Sequence, residues 1–341
     1  MGVMNVKWLA VVAALLLAAP GARAGAVLDR VRAQHQVNCG VVTDQDDYSK
    51  EDTHGNLAAL GADLCRAVTA AVLGNDAKVI VSAYPDEPAG LAALQAGKID
   101  LLGGATPSLQ NRAHFPVRFG PTVFYDGQGF LVLTSSPIKT LPSLAHKQIC
   151  FMEGTGAEEA LGPALAARGV AYIPFPFEEI GEMEAALVAG RCSAITGDVT
   201  QLANMRAAFL GQRNSYSILP EMITSDPLAP AYAAGDPEWS AMVDWTVTAL
   251  IQAEESGVTA ANIEEMKKSE DPEVRRLLGT ARGPVLALGL DQWWSVRAIK
   301  AVGNFGEVYD RDAGAHSPLR LSRGLTALWN QGGLLYAMPI R

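Results

Sequence analysis

The chain has 341 residues, 49% hydrophobic and 18% charged, with a formal net charge of −9. That length suffices for two lobes with substantial cores. An acidic chain without basic clusters excludes nucleic acid and anionic membrane as expected partners, and 7% aromatic content with 33 glycines suits a packed α/β protein rather than disorder.

The N-terminus reads as a targeting segment. Lys7 provides a short positive region, Trp8 to Ala19 is an apolar run, Pro20 and Gly21 break it, and Ala22-Arg23-Ala24 is a small-x-small cleavage site. This is a secretory signal peptide over 1–24, with a mature start near Gly25. The apolar run is shorter than the roughly 20 residues that span a bilayer. The competing reading is a signal anchor or a buried helix. Removing Lys7 and Arg23 takes the formal charge from −9 to −11.

Downstream, strands and helices alternate. "VNCGVVT" (37–43) predicts a strand, "LAALGADLCRAVTAAVLG" (57–74) an amphipathic helix, and "KVIVSAY" (78–84) a strand. "PAGLAALQAG" (88–97) predicts a helix and "IDLLGG" (99–104) a buried strand. After "GFLVLTSS" (129–136) the cycle restarts with strands at 148–152, 171–175 and 192–196 and helices at 154–169 and 178–190. Such alternation predicts parallel βαβ sheets with helices on both faces. Residues 237–341 read as mostly helical, with Asp271-Pro272 and Leu290-Asp291 as helix starts. The tail "GGLLYAMPIR" is apolar and is expected to dock.

Between the first strand and the first long helix lies "VVTDQDDYSKEDTHG" (41–55), with Asp44, Asp46, Asp47, Glu51 and Asp52. It fails as a calcium loop: counting from Asp44, the fifth and sixth positions are Tyr48 and Ser49, and the twelfth is Gly55. Acid/base work and a solvated acidic surface both remain open.

Four cysteines in an exported chain favour disulfides, and four allow three connectivities. If the chain forms two lobes, pairing within each gives Cys39–Cys65 and Cys150–Cys192. No metal site is expected, because no C-x-x-C occurs and His35, His54, His114, His146 and His316 are scattered. No cofactor motif is complete. "GTGAEE" follows a strand and opens a helix but lacks the third glycine of a dinucleotide fingerprint. It fits a small anion at a helix N-terminus, or simply a solvent-capped helix. One internal similarity stands out: "AALQAGKID" (92–100) and "AALVAGRCS" (185–193) share an Ala-Gly helix stop, a basic residue and a strand. Generic helix-to-strand chemistry explains it equally well as two equivalent lobes do.

Four stretches carry a more specific resemblance: "FYDGQGF" (124–130), "EEMKKSEDPEVRRLLG" (264–279), "AIKAVGNFGEVYDR" (298–311) and "SPLRLSRGLTALWNQGGLLYAMPIR" (317–341). Over nearly the whole mature chain the sequence resembles the periplasmic solute-binding proteins of bacterial amino-acid ABC importers, the general L-amino-acid-binding type of solute-binding protein family 3. The four cysteines lie where that family has them. The resemblance implies an α/β, two-lobe periplasmic-binding-protein clamshell (type II) with parallel-rich sheets flanked by helices. Lobe one would comprise 25–134 plus 226–341 and lobe two 137–220, with hinge crossovers near 133–138 and 219–228. It also implies a periplasmic monomer that binds a free amino acid and meets an inner-membrane ABC permease.

A free amino acid demands a bidentate arginine and helix-terminal N–H groups for its carboxylate, and an aspartate for its ammonium. By resemblance, Arg112 in "ATPSLQNR" is the carboxylate arginine, with Thr106 in the same segment. Thr155 and Gly156 are the helix terminus from lobe two, Asp198 in "ITGDVT" the ammonium ligand, and Tyr48 the aromatic that packs on the ligand. Taken singly, Arg112 could be a surface arginine and Asp198 a helix cap. This chain also departs from the family. Leu57, Leu60 and Gly61 stand where relatives have Trp, Phe and Asp, and Gly104, Ala105 and Ser108 where they have Arg, Asn and Trp. Backbone recognition of an amino acid is therefore expected to persist with altered side-chain selectivity, and the acidic 41–55 loop is expected to bias the mouth toward cationic ligands or a basic partner. The competing classes are a sensor with the same clamshell and a dehydratase-like enzyme, for which Glu153 and Asp198 are the candidate acids.

Overall fold

The computed structural model describes residues 25–43, 57–209, 213–281 and 289–340. The 41–55 loop beyond Thr43, including Tyr48, and the signal segment 1–24 lie outside the described residues.

The chain begins with α1 (Ala26–Gln34), β1 (Gln36–Val42), α2 (Leu57–Leu73), β2 (Lys78–Tyr84), α3 (Glu87–Gln95) and β3 (Leu101–Ala105). Next come α4 (Leu109–His114), β4 (Val117–Phe119) and β5 (Phe124–Asp126). A second unit holds β6 (Gln128–Leu133), β7 (Gln148–Met152), α5 (Gly156–Ala166), β8 (Ile173–Phe177), α6 (Ile180–Val188), β9 (Ala194–Asp198), α7 (Val199–Ala208) and β10 (Tyr216–Ile218). The chain then returns through β11 (Asp226–Ala233) to the first unit, ending in helices α8 (Pro237–Glu255), α9 (Ile263–Met266), α10 (Pro272–Leu277), α11 (Trp294–Val302) and α12 (Phe305–Asp312).

Two sheets result. One has the order β2-β1-β3-β11-β4 with β5 also paired to β11; the other runs β10-β6-β9-β7-β8. The buried apolar clusters divide the same way. Two contain only lobe-one side chains, such as Val41, Leu64 and Trp239 or Leu91 and Leu102, and two only lobe-two ones, such as Phe130 and Leu165 or Leu131 and Met183. Each lobe therefore has its own core.

Three features differ from expectation. The first crossover falls between Asp126 and Gln128, earlier than the expected 133–138, because β6 pairs with β9 and β10 in the second sheet. "GFLVLTSS" is apolar on both faces, and that pattern does not say which sheet receives it. Secondly, the sheets are mixed: β1, β2 and β3 run parallel, as do β7, β8 and β9, but β11 and β6 enter antiparallel after the crossovers. Thirdly, the helix expected from Leu290-Asp291 begins at Trp294, with Asp291 Oδ1 accepting Trp293 N at 2.7 Å ahead of it.

The internal similarity is structural. Gly97 and Gly190 both have left-handed φ, +67° and +69°. Lys98 N bonds Ala93 O at 3.0 Å, and Arg191 N bonds Ala186 O at 2.8 Å. Each stop then delivers a strand parallel to its neighbour, β3 on β1 and β9 on β7. The order β2-β1-β3-β11 thus repeats as β8-β7-β9-β6. Both disulfides pair as expected within lobes, Cys39–Cys65 and Cys150–Cys192. They close 26- and 42-residue separations, for which loop-closure entropy suggests about 3–4 kcal/mol each.

Buried polar groups join the first lobe's segments. Asp236, 1% exposed, caps α8 through Trp239 N at 2.8 Å and accepts Val27 and Leu28 N–H at 2.9 Å. Trp239 Nε1 in turn donates to Asp100 O at 2.9 Å. Asp236→Ala should lower unfolding free energy by about 2–4 kcal/mol, since three buried N–H groups lose a charged acceptor; urea unfolding measures it. The tail docks in part: Ala337 N donates to Glu255 Oε1 at 3.0 Å and Ile340 O accepts Arg276 Nε at 2.8 Å, while Tyr336 stays exposed.

A carboxyl pair lies between α2 and α12. Asp63 accepts Arg66 and Arg311, whereas neither oxygen of fully buried Asp312 accepts a hydrogen bond from a described residue. Burial, with the adjacent Asp63 carboxylate, pushes the Asp312 pKa upward despite Arg311. An unfolded aspartate ionises near pH 4, so the folded carboxyl keeps its proton to higher pH than the unfolded one. Its stabilising contribution is therefore full at low pH and declines as pH rises. Asp312→Asn should flatten the fall in urea-unfolding stability between about pH 4 and pH 7 relative to the unmodified chain.

Candidate functional site

The site is organised by two crossovers lying side by side. Asp126 and Asp226 are cross-strand partners of β5 and β11. Two residues on, Gln128 N donates to Thr224 Oγ1 at 2.7 Å, and Ile223 N donates to Gln128 O at 2.8 Å. Thr224 Oγ1 donates onward to Asp226 Oδ2 at 2.6 Å. Gly127, between the lobes, is a packing requirement: a Cβ there would meet Thr224 O at 2.5 Å. Its own carbonyl accepts Val199 N at 3.0 Å, tying it to the start of α7.

The expected ligand residues follow the carboxyl ends of the parallel strands, where open α/β sheets bind ligands. Asp198 ends β9. It occupies the N-cap position of α7 but makes no capping bond, so its carboxylate is available. Its side chain is open to solvent, yet the surrounding protein removes enough water to push its pKa up, with the Asp226 carboxylate acting in the same direction. Gln128 faces Asp198 across the β6–β9 ladder.

Thr155 and Gly156 follow β7. The Thr155 hydroxyl donates to Met152 O at 2.8 Å rather than capping α5. A Cβ on Gly156 would touch nothing within 4 Å, and Gly156 N and Ala157 N make no hydrogen bond to described residues, whereas Glu158 N bonds Thr155 O at 3.1 Å and Glu158 Oε2 accepts Gly154 N at 2.7 Å. Gln128 Nε2 reaches Ala157 O at 2.9 Å and Thr196 Oγ1 at 2.9 Å, joining this helix start to the Asp198 strand.

Thr106 follows β3 with a pinned backbone: its N–H donates to Glu87 Oε2 at 2.7 Å, and its carbonyl accepts Asn111 Nδ2 at 2.8 Å. Arg112 lies on α4, which Ser108 caps through Asn111 N at 3.0 Å. The Arg112 side chain is exposed and has no ion pair among the described residues. Asp198, Thr155 and Gly156 are thus brought together through Gln128, whereas no hydrogen bond joins Thr106 or Arg112 to them. The departure at Gly61 has a packing reason. It lies against Gly103, where a Cβ would meet Gly61 backbone at 2.6 Å, so α2 lies directly on β3.

Reading the sequence missed Asp126, Gln128 and Thr200. Asp126 is buried; its Oδ2 accepts the Thr200 hydroxyl at 2.5 Å and its Oδ1 accepts Gly127 N at 2.8 Å. Burial pushes its pKa up to about 6 against those bonds, and the Asp198 charge adds to the rise. The stretch "FYDGQGF" contained the signal, an acid and an amide flanking a glycine between apolar runs. Among the described residues no group of three or more His, Cys, Asp or Glu could hold a metal, and no helix is long and apolar enough to cross a membrane.

Comparison with known proteins decides the family. The chain is 39% identical over 335 residues to the general L-amino acid-binding periplasmic protein AapJ of Rhizobium johnstonii, covering 97% of this chain and 98% of that one. It belongs to the periplasmic amino-acid-binding proteins of ABC transporters. Another member, the glutamate/glutamine/aspartate/asparagine-binding protein BztA of Rhodobacter capsulatus, is 36% identical over 330 residues, or 96% of this chain and 97% of that one. The solved structure of an ABC transporter periplasmic binding protein from Brucella ovis with glutathione bound is 36% identical. It covers 92% of this chain and 99% of that chain with a TM-score of 0.75. No family model matches the chain.

Among periplasmic amino-acid-binding proteins the interlobe crossover is the moving part, and here it has no spare volume. Gly127→Ala should reduce stability by about 1–3 kcal/mol through overpacking against Thr224, measured by urea unfolding.

Proposed function

We propose that this protein is a periplasmic receptor that captures a free amino acid, or a small derivative retaining the α-ammonium and α-carboxylate, between its lobes and delivers it to an inner-membrane ABC permease. The observation that carries this reading is the pairing of complementary groups at the carboxyl ends of the two sheets. Asp198 presents an uncapped carboxylate, Gly156 and Ala157 present N–H groups that bond no described residue, and Arg112 offers an exposed guanidinium without an ion-pair partner among the described residues. An ammonium suits the first and a carboxylate the other two. The relatives support it: AapJ is named for general L-amino acids, BztA for four acidic and amide amino acids, and the Brucella ovis structure holds glutathione, whose γ-glutamyl end carries both groups.

Capture rather than turnover is the reading, with the protein acting as a monomer. Glu153, the sequence's candidate acid for a dehydratase, is exposed on the loop before α5 rather than buried in a reaction site. Export rests on the 1–24 segment.

Calorimetric titration of refolded, ligand-free protein with the common L-amino acids and glutathione should reveal binding. Arg112→Ala should weaken it by about 2–5 kcal/mol, the usual cost of removing one partner of a hydrogen-bonded charge pair. Failure of every one of these compounds to bind would sink the reading, and chemical conversion of a bound compound would move it to the enzyme class.

A further inference from the structure

Asp126 is a lobe-one residue held by a lobe-two donor. Its carboxylate accepts the Thr200 hydroxyl from the first turn of α7 at 2.5 Å. That helix also reaches lobe one through Arg206, which donates to Leu319 O. Asp198 lies two residues before Thr200, and Asp226 is the cross-strand partner of Asp126. From α12 comes Tyr309, whose ring has the Arg323 guanidinium 4.6 Å above it. Burial raises the cost of ionising Tyr309 and the Asp126 charge adds to it, while Arg323 lowers it.

Acceptors outnumber donors here. Asp126 and Asp226 are met by the hydroxyls of Thr200 and Thr224, which bring no positive charge. Gln128 Oε1 and Glu221 Oε2 are buried and accept no hydrogen bond from a described residue. Gln128 is itself 2% exposed and lies opposite Asp198 in the ladder. Burial holds the proton on Asp126 to higher pH than an exposed aspartate keeps it.

We propose that Asp126 is a positioning residue of the cleft, coupling the arrival of an ammonium group at Asp198 to the release of a proton from the crossover and a stronger bond to Thr200. The inference rests on the amino-acid receptor reading above. Asp126 holds its proton up to about pH 6 because of burial and the neighbouring Asp198 charge. An ammonium against Asp198 cancels that charge. The Asp126 pKa then falls by the Asp198 share while burial still holds it up, so a fraction of a proton leaves to solvent, and the ionised carboxylate accepts the Thr200 hydroxyl more strongly than the neutral acid does. Because capture releases a proton, affinity rises with pH up to about 6 and then levels.

The test is calorimetric titration of ligand-free protein with the twenty common L-amino acids and glutathione as probes, each run in phosphate and in Tris at pH 6 and pH 8. The difference in apparent enthalpy between buffers counts the protons exchanged. The expected result is a fraction of a proton released at pH 6, little at pH 8, and a Kd that falls by up to about tenfold per pH unit between pH 5 and 6. Asp126→Asn should reduce that release and flatten the pH profile. Thr200→Val, which keeps the carboxyl but removes its donor, should move the release to higher pH. Binding with a buffer-independent enthalpy at pH 6, or undiminished release in Asp126→Asn, overturns the coupling and leaves the receptor reading intact. If no probe binds at any pH, both readings fall.

Discussion

Everything in this molecule depends on how two chain segments pass side by side between two separately packed lobes. The crossing is narrow. Gly127 has no room for a side chain, Gln128 N is bonded to the Thr224 hydroxyl, and Thr224 is bonded to Asp226. Backbone groups that leave one sheet and have not yet joined the next must still be satisfied. Here the opposite crossover satisfies them. The crossing is therefore a hydrogen-bonded pair of segments with defined geometry.

That arrangement also places the chemistry. Thr106 and Gly156 follow β3 and β7, and Asp198 ends β9. The repeated order β2-β1-β3-β11 and β8-β7-β9-β6 makes this a consequence of duplicate topology rather than of three independent placements. In lobe two one buried amide, Gln128, contacts both the α5 start and the β9 strand. Lobe one contributes a cation on a short helix, held by Ser108 and by the Glu87–Thr106–Asn111 bonds. Of the glycines that replace larger family residues there, Gly61 has a packing reason, since with Gly103 it lets α2 rest on β3, whereas a Cβ on Gly104 would meet nothing within 4 Å.

Charge in the crossover follows from the same geometry. Asp126, Asp198 and Asp226 arrive from three strands, and hydroxyls, not cations, meet two of them. Burial pushes the pKa of both Asp126 and Asp198 up, with the Asp198 charge adding to the first and the Asp226 charge to the second.

Much of this was legible in the sequence. The 3.6-residue periodicity of 57–74 and 237–257, the apolar runs at 78–84 and 148–152, and the glycine stops at 97 and 190 each predict the local structure that forms, because each reflects interactions between near neighbours along the chain. Cysteine number narrowed the disulfides to three pairings, and two-lobe organisation selected one. The tertiary structure decided what depends on distant partners. The sheet that "GFLVLTSS" joins is set by its pairing with β9 and β10, well over 50 residues away. The role of Asp126 is set by a hydroxyl 74 residues distant. A run of residues carries its own periodicity, but burial and the resulting pKa belong to the surroundings that only folding assembles.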